Sequence, residues 1–129
     1  MNDVMQKWHD TFNGKGDSTQ LADLLADDVV FHSPVVHTPL EGKAITLKYL
    51  QSAGVVLNNG SFHYVREVVG ESDAILEFVT ELDGIHVNGV DMIRWNDEGK
   101  IVDFKVMVRP LKAIQSVHAM MGQQLQSAG

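Results

Sequence analysis

The pattern of hydrophobic positions changes period halfway along the chain. Val4, Met5, Trp8 and Phe12 recur at helical spacing, with His9 on the Met5/Phe12 side of the stripe, and Gly14-Lys15-Gly16 breaks the pattern. Asp17 with Gln20 three residues later reads as a capping box for a second helix carrying Leu21, Leu24 and Leu25. Val29 to Ser33 form a short predicted strand stopped by Pro34, and the stretch through Pro39 is a loop. Gly42 precedes a third helix bearing Ile45, Leu47, Tyr49 and Leu50. Beyond residue 60 the period becomes two. Segments 61–69, 73–82, 85–95 and 100–109 are predicted strands, separated by Gly70-Glu71-Ser72, Asp83-Gly84 and Asn96-Asp97-Glu98-Gly99. Pro110, suited to a first helical turn, opens a final helix with Leu111, Ile114, Val117, Met121 and Leu125 along one face. Helices followed by an antiparallel meander predict a single α+β domain over residues 1–129, its helices packed on one face of a curved sheet.

One residue breaks the alternation. Val87, Gly89, Asp91, Ile93 and Trp95 share a strand face, so Asp91 sits among the largest apolar groups. A two-residue Asp83-Gly84 hairpin sets Leu82 opposite Ile85 and Leu76 opposite Asp91. A turn at 96–99 sets Trp95 opposite Lys100 and Phe104 opposite Asp91. The same face gathers Phe78, Thr80, Val106 and Val108. An isolated ionised carboxylate there costs on the order of several kcal/mol, so Asp91 must be paired, protonated or chemically employed. The other face mixes Ile75, Val79, Val90, Met92, Ile101 and Met107 with Glu77, Glu81, Arg94, Asp103, Lys105 and Arg109. Two readings suit that mixture: partial burial against a second copy, giving a homodimer, or a solvated face laced with cross-strand ion pairs.

Composition narrows the function classes. A net charge of −7 without a basic cluster argues against nucleic acid as a partner. The chain has no cysteine, which removes disulfide and thiol chemistry. Neither a signal peptide nor a stretch approaching the roughly 20 apolar residues of a membrane helix is visible, so no membrane partner and a cytoplasmic location are expected. His63, His86 and His118 lack metal-ligand spacing, so no metal is expected, and no cofactor. Ser33 lacks a nucleophile elbow, and Gly14-Lys15-Gly16 is too short for a phosphate loop.

Leu24-Leu25-Ala26-Asp27-Asp28-Val29-Val30-Phe31, the Ser33-Pro34 … Gly42 loop, and the block from Val90-Asp91-Met92-Ile93-Arg94-Trp95 to Ile101 carry a family likeness. Over residues 4–109 the chain resembles the nuclear transport factor 2-like superfamily, in its SnoaL-like and ketosteroid-isomerase-like branch. The resemblance implies a cone: a strongly bent sheet wrapped around the N-terminal helices, with an additional C-terminal helix and a pocket between them. In ketosteroid isomerases a protonated aspartic acid at the position of Asp91 forms an oxyanion hole with a tyrosine from the first helix. That tyrosine position holds His9 here, and the position of the family's catalytic base holds Ser33. A serine of ordinary pKa does not take a proton from carbon at neutral pH.

The resemblance thus points to Asp91 and His9 as an acid/base or oxyanion-stabilising pair that would titrate as a unit. Its pocket would be walled by Trp8, Phe12, Phe31, Tyr49, Phe78, Trp95 and Phe104, with Ser33, Leu76, Val106 and Val108 beside them. Such a lining suits a small hydrophobic, ring-containing ligand. His32 falls on the outer parity, and His37 could reach the pocket mouth. Arg94 lies on the wrong face for the Asp-Arg-Asp relay of epoxide-hydrolase relatives. Three functions follow: a cofactor-independent isomerase or cyclase acting on a carbonyl compound, a non-catalytic small-molecule binder, or a protein-interaction module with a filled interior. In the latter two, Asp91 would only satisfy Trp8, His9 or a backbone group.

Overall fold

In a computed structural model describing residues 3–12 and 18–128, the chain runs α1 (Asp3–Phe12), α2 (Ser18–Leu24), β1 (Leu25–His32), β2 (Leu40–Glu41), α3 (Lys43–Leu57), β3 (His63–Val69), β4 (Asp73–Leu82), β5 (Ile85–Trp95), β6 (Ile101–Arg109) and α4 (Leu111–Ala128). Gly14-Lys15-Gly16 and the Asp17 end of the proposed capping box lie outside the described residues. The strands form one sheet in the order β2-β1-β6-β5-β4-β3. Its neighbours are antiparallel except β1 and β6, which run parallel, so the sheet is mixed. The architecture is α+β with a C-terminal helix, as expected.

Boundaries moved where two elements abut. Leu25 belongs to β1 rather than to the second helix, and its side chain is buried with Val29 and Phe31. Part of the 34–41 stretch expected to be loop is the short strand β2, which pairs Leu40 with Phe31. Pro110 stands just before α4, its carbonyl accepting the Ala113 and Ile114 N–H groups. Leu111 is exposed, because the buried stripe of α4 starts at Ala113 and continues through Val117 and Met121.

The β4–β5 hairpin closes as Asp-Gly predicts. Asp83 and Gly84 both have positive φ (49° and 80°), which suits a tight turn matched to strand twist. The register then places Leu82 opposite Ile85 and Leu76 opposite Asp91.

The β5–β6 register differs from expectation. The Asn96 side chain accepts the Glu98 and Lys100 N–H groups, each at 3.0 Å, drawing Lys100 into the turn so that Trp95 pairs with Ile101. A bulge follows, since Arg94 pairs with Asp103. Val106, not Phe104, therefore stands opposite Asp91, and Phe104 stands opposite Ile93. The two slips together shift the register by an even step, so Phe104, Val106 and Val108 keep their inward side. Ile101 is the exception: it is fully buried rather than on the outer face.

Gly89 is a packing requirement. A Cβ there would lie 2.3 Å from the Phe78 ring and 2.9 Å from the Met107 carbonyl oxygen. Phe78 has no exposed surface and stacks on Phe62 at 4.9 Å, so it cannot retreat cheaply. Gly89→Ala is expected to destabilise the fold by about 2 kcal/mol, measured by urea unfolding.

Buried side chains form two clusters. One joins Val4, Met5, Trp8, Phe31, Leu76, Ile93, Trp95 and Phe104. The other joins Val56, Leu57, Phe78, Val87, Val117 and Met121. Asp91 lies at the seam between them. No helix among the described residues is long and apolar enough to cross a membrane.

Candidate functional site

The seam is a narrow slot with about 40 Å³ of free space, room for a few waters at most. The inner sheet face supplies Phe78, Asp91, Phe104, Val106 and Val108, while α1 supplies Trp8 and Phe12. The end of β1 and the following loop add Phe31, Ser33, Pro34 and Val35. Leu50, Ala53 and Leu57 of α3, Val117 and Met121 of α4, and Phe62 before β3 complete the wall. Of the residues expected to line a pocket, Trp8, Phe12, Phe31, Ser33, Phe78, Phe104, Val106 and Val108 border this slot. Tyr49, Leu76 and Trp95 do not. Tyr49 packs behind Phe31, with ring centroids 5.8 Å apart, and Leu76 and Trp95 lie within the first core cluster.

Asp91 is held from behind. Tyr64, inward-facing on β3 opposite Phe78, donates its hydroxyl proton to Asp91 Oδ2 at 2.7 Å. The Trp8 indole N–H donates to the Tyr64 oxygen at 3.0 Å. Tyr64 does not line the slot, so it positions the carboxyl from outside while Asp91 faces the cavity. Burial pushes the Asp91 carboxyl up to about 7, against a smaller downward pull from the Tyr64 hydrogen bond. Burial also raises the Tyr64 phenol well above its ordinary value, and the Asp91 charge adds to that rise.

His9 and Asp91 are not brought together. The inward position of α1 belongs to Trp8, and His9, one residue on, points toward the far edge of β3. There His9 Nε2 meets Glu67 Oε1 at 2.6 Å, and its ring meets Tyr64 edge-on at 5.4 Å. The β3 bulge between Tyr64 and Arg66 sets Glu67 opposite inward Leu76, which brings it to that histidine. The partner of Asp91 is thus a tyrosine that sequence reasoning left unassigned.

Ser33 borders the slot, and its Oγ accepts the Val35 N–H at 3.2 Å. His32 faces outward as its parity implies and meets Asp103 at 2.9 Å. Arg94 is exposed on the outer face, opposite Asp103. Among the described residues no three His, Asp or Glu side chains converge as a metal-holding group.

Comparison with known proteins agrees with the fold. A family profile described as a SnoaL-like domain matches residues 5–104. A crystal structure of a steroid delta-isomerase from Pseudomonas aeruginosa is 34% identical, with a TM-score of 0.89 over 97% of this chain and 90% of that one. An uncharacterized bacterial protein with a cystatin-like fold from Silicibacter pomeroyi is 29% identical, with a TM-score of 0.86 over 96% and 86%. The epoxide hydrolase/cyclase-like enzyme SalBIII, described in pyran ring formation of salinomycin, shares the fold at 18% identity and a TM-score of 0.63 over 82% and 90%. No protein of curated function matches the sequence.

Proposed function

The chain belongs to the SnoaL-like domain family, and from that premise we propose that it is a cofactor-independent isomerase or cyclase acting on a ring-containing carbonyl compound. The observation that carries this reading is a carboxyl with a pKa of about 7 facing an otherwise apolar slot. A general base works best when its pKa lies near the working pH, because both protonation states are then accessible. Asp91 as carboxylate takes a proton from the carbon next to the carbonyl and, as the acid, returns it at a second carbon. Ser33, which borders the same slot, supplies the hydroxyl that stabilises the enolate oxygen. The two positions thereby exchange the tasks they have in ketosteroid isomerases. Tyr64 is a positioning residue, and His9 has no part in this chemistry. A ligand larger than a few waters must displace wall side chains, of which Met121 is the most adaptable.

The test is exchange of α-hydrogens of cyclic ketones in D2O, followed by NMR. The protein is expected to accelerate exchange of at least one ketone, and Asp91→Asn to abolish it. The small free volume of the slot favours a second reading, a closed binding module. That reading is supported if ligands raise the melting temperature of both proteins and neither accelerates exchange.

We also propose that two copies associate through the outer sheet face. Val68 of β3 and Ile75 of β4 are exposed there. On the β3–β5 part of that face the acidic Asp73, Glu77 and Glu81 are accompanied by Arg66 and Arg94, which offsets much of the repulsion between two chains of charge −7. Light scattering at micromolar concentration should give the mass of a dimer, and Ile75→Asp should give a monomer.

A further inference from the structure

The loop after β1 has a cavity on each side. Ser33, Pro34 and Val35, with Val106 and Val108 of β6, line the inner slot. The same residues line an outer groove of about 580 Å³, whose remaining walls include His32, His37 and Lys105. The Ser33–Val35 loop and the Val106–Val108 end of β6 are therefore the wall common to the two.

The characters of the two sides are opposite. The slot is small and apolar apart from Asp91 and Ser33. The groove is far larger, and its titratable lining is basic. Lys105 lies beside His32 across the parallel β1–β6 pair. The nearby carboxylate of Asp103 is held by His32 at 2.9 Å. Lys105 is half-buried and has no hydrogen bond or ion pair among the described residues, and His37 stands exposed across the groove without one. An uncommitted cation in a concave site, within a chain of charge −7, is a place for an anion.

We propose that the groove binds the anionic group of an amphiphilic ligand whose apolar end reaches past Ser33–Val35 to Asp91. The inference rests on the reading of the slot as a ligand site and specifies its ligand class: an elongated hydrophobic molecule carrying a carboxylate, sulfonate or phosphate. The size difference fits this division, since the slot takes only the reacting end while the groove takes bulk and charge. Lys105 is the specificity determinant, holding the charged group as a point charge. The outer-face association proposed above centres on β3–β5, and the groove lies on the β6–β1 side of the same sheet.

A matched pair of fluorescent probes tests this. 1-Anilinonaphthalene-8-sulfonate carries a sulfonate, and N-phenyl-1-naphthylamine is its neutral counterpart. The sulfonate should bind more tightly at low salt and lose that advantage as salt rises, while the neutral probe should be insensitive to salt. Lys105→Met should weaken the sulfonate about fivefold and leave the neutral probe unchanged, whereas Arg94→Met should alter neither. Ala53→Leu, which narrows the slot, should weaken both probes. If both bind, and Ala53→Leu weakens both while Lys105→Met weakens neither, the slot stands and the anion site is overturned. If the neutral probe does not bind, or binds without regard to Ala53→Leu, the slot reading falls and takes this inference with it.

Discussion

Asp91→Asn raises the melting temperature near pH 8.5 and changes it little near pH 4. The folded protein holds a proton on Asp91 up to about pH 7, whereas the unfolded chain releases it near the ordinary aspartate value of 3.8. Between those values the native state binds more protons, so stability contributed by this site falls as pH rises through the window and stays low above it. The shift of roughly three units corresponds to about 4 kcal/mol at most, or roughly 15 °C for a chain of this size. Asparagine resembles the protonated acid in shape and can still accept the Tyr64 hydrogen bond, but never has to be buried as an anion. The same change should lower turnover by roughly 10²–10⁴, the usual contribution of a positioned acid/base. Gain of stability with loss of turnover in one variant separates a chemically employed carboxyl from a structural one. A melting temperature that drops equally at both pH values would show that Asp91 is a structural polar group.

Tyr64→Phe acts on the same carboxyl in the opposite sense. It removes the donor that stabilises the charged form, so Asp91 titrates above its present value of about 7, and the acidic limb of the activity profile, where the base must lose its proton, follows it upward. It also leaves the Trp8 indole N–H without its acceptor. An unsatisfied buried donor costs about 1–3 kcal/mol, and the loss should grow above pH 7, where the carboxylate needs its donor most. Carbon-13 NMR of labelled aspartate in the two proteins checks the titration directly. An unmoved Asp91 signal would mean that the Tyr64 bond has no hold on its protonation. In an Asp91→Asn background the pH dependence of the Tyr64→Phe effect should vanish, since the coupled charge is gone.

Much of this was legible because strands alternate strictly. Asp91 among Ile93, Trp95 and Val87 was visible as a misfit, and the Asp83-Gly84 turn placed Leu76 opposite it without ambiguity. Phe104 was misplaced because Asn96, a side chain rather than backbone, decides where the next turn closes. Tyr64 escaped notice for a related reason. It sits two strands from Asp91 and reaches it diagonally across β4, and the bulge beside Tyr64 breaks the count along β3. The alternation of Phe62 and Tyr64 was the available signal. In α3 the wall-forming positions are Leu50, Ala53 and Leu57, above buried Thr46, and two small side chains make a weak hydrophobic stripe. His9 was expected in the pocket through its alignment position, but a helix turns about 100° per residue, and that one step gives the interior to Trp8.

The relay from Trp8 through Tyr64 to Asp91 makes the buried acid optically visible. The chain has two tryptophans, and only Trp8 hydrogen-bonds into this relay, while Trp95 lies in the core without a bond to it. Charge appearing on Asp91 changes the field at an indole two hydrogen bonds away. The emission of Trp8 therefore registers the proton, and a Trp95→Phe protein, excited where tyrosine does not absorb, would carry a single tryptophan reading out the one carboxyl on which its proposed chemistry depends.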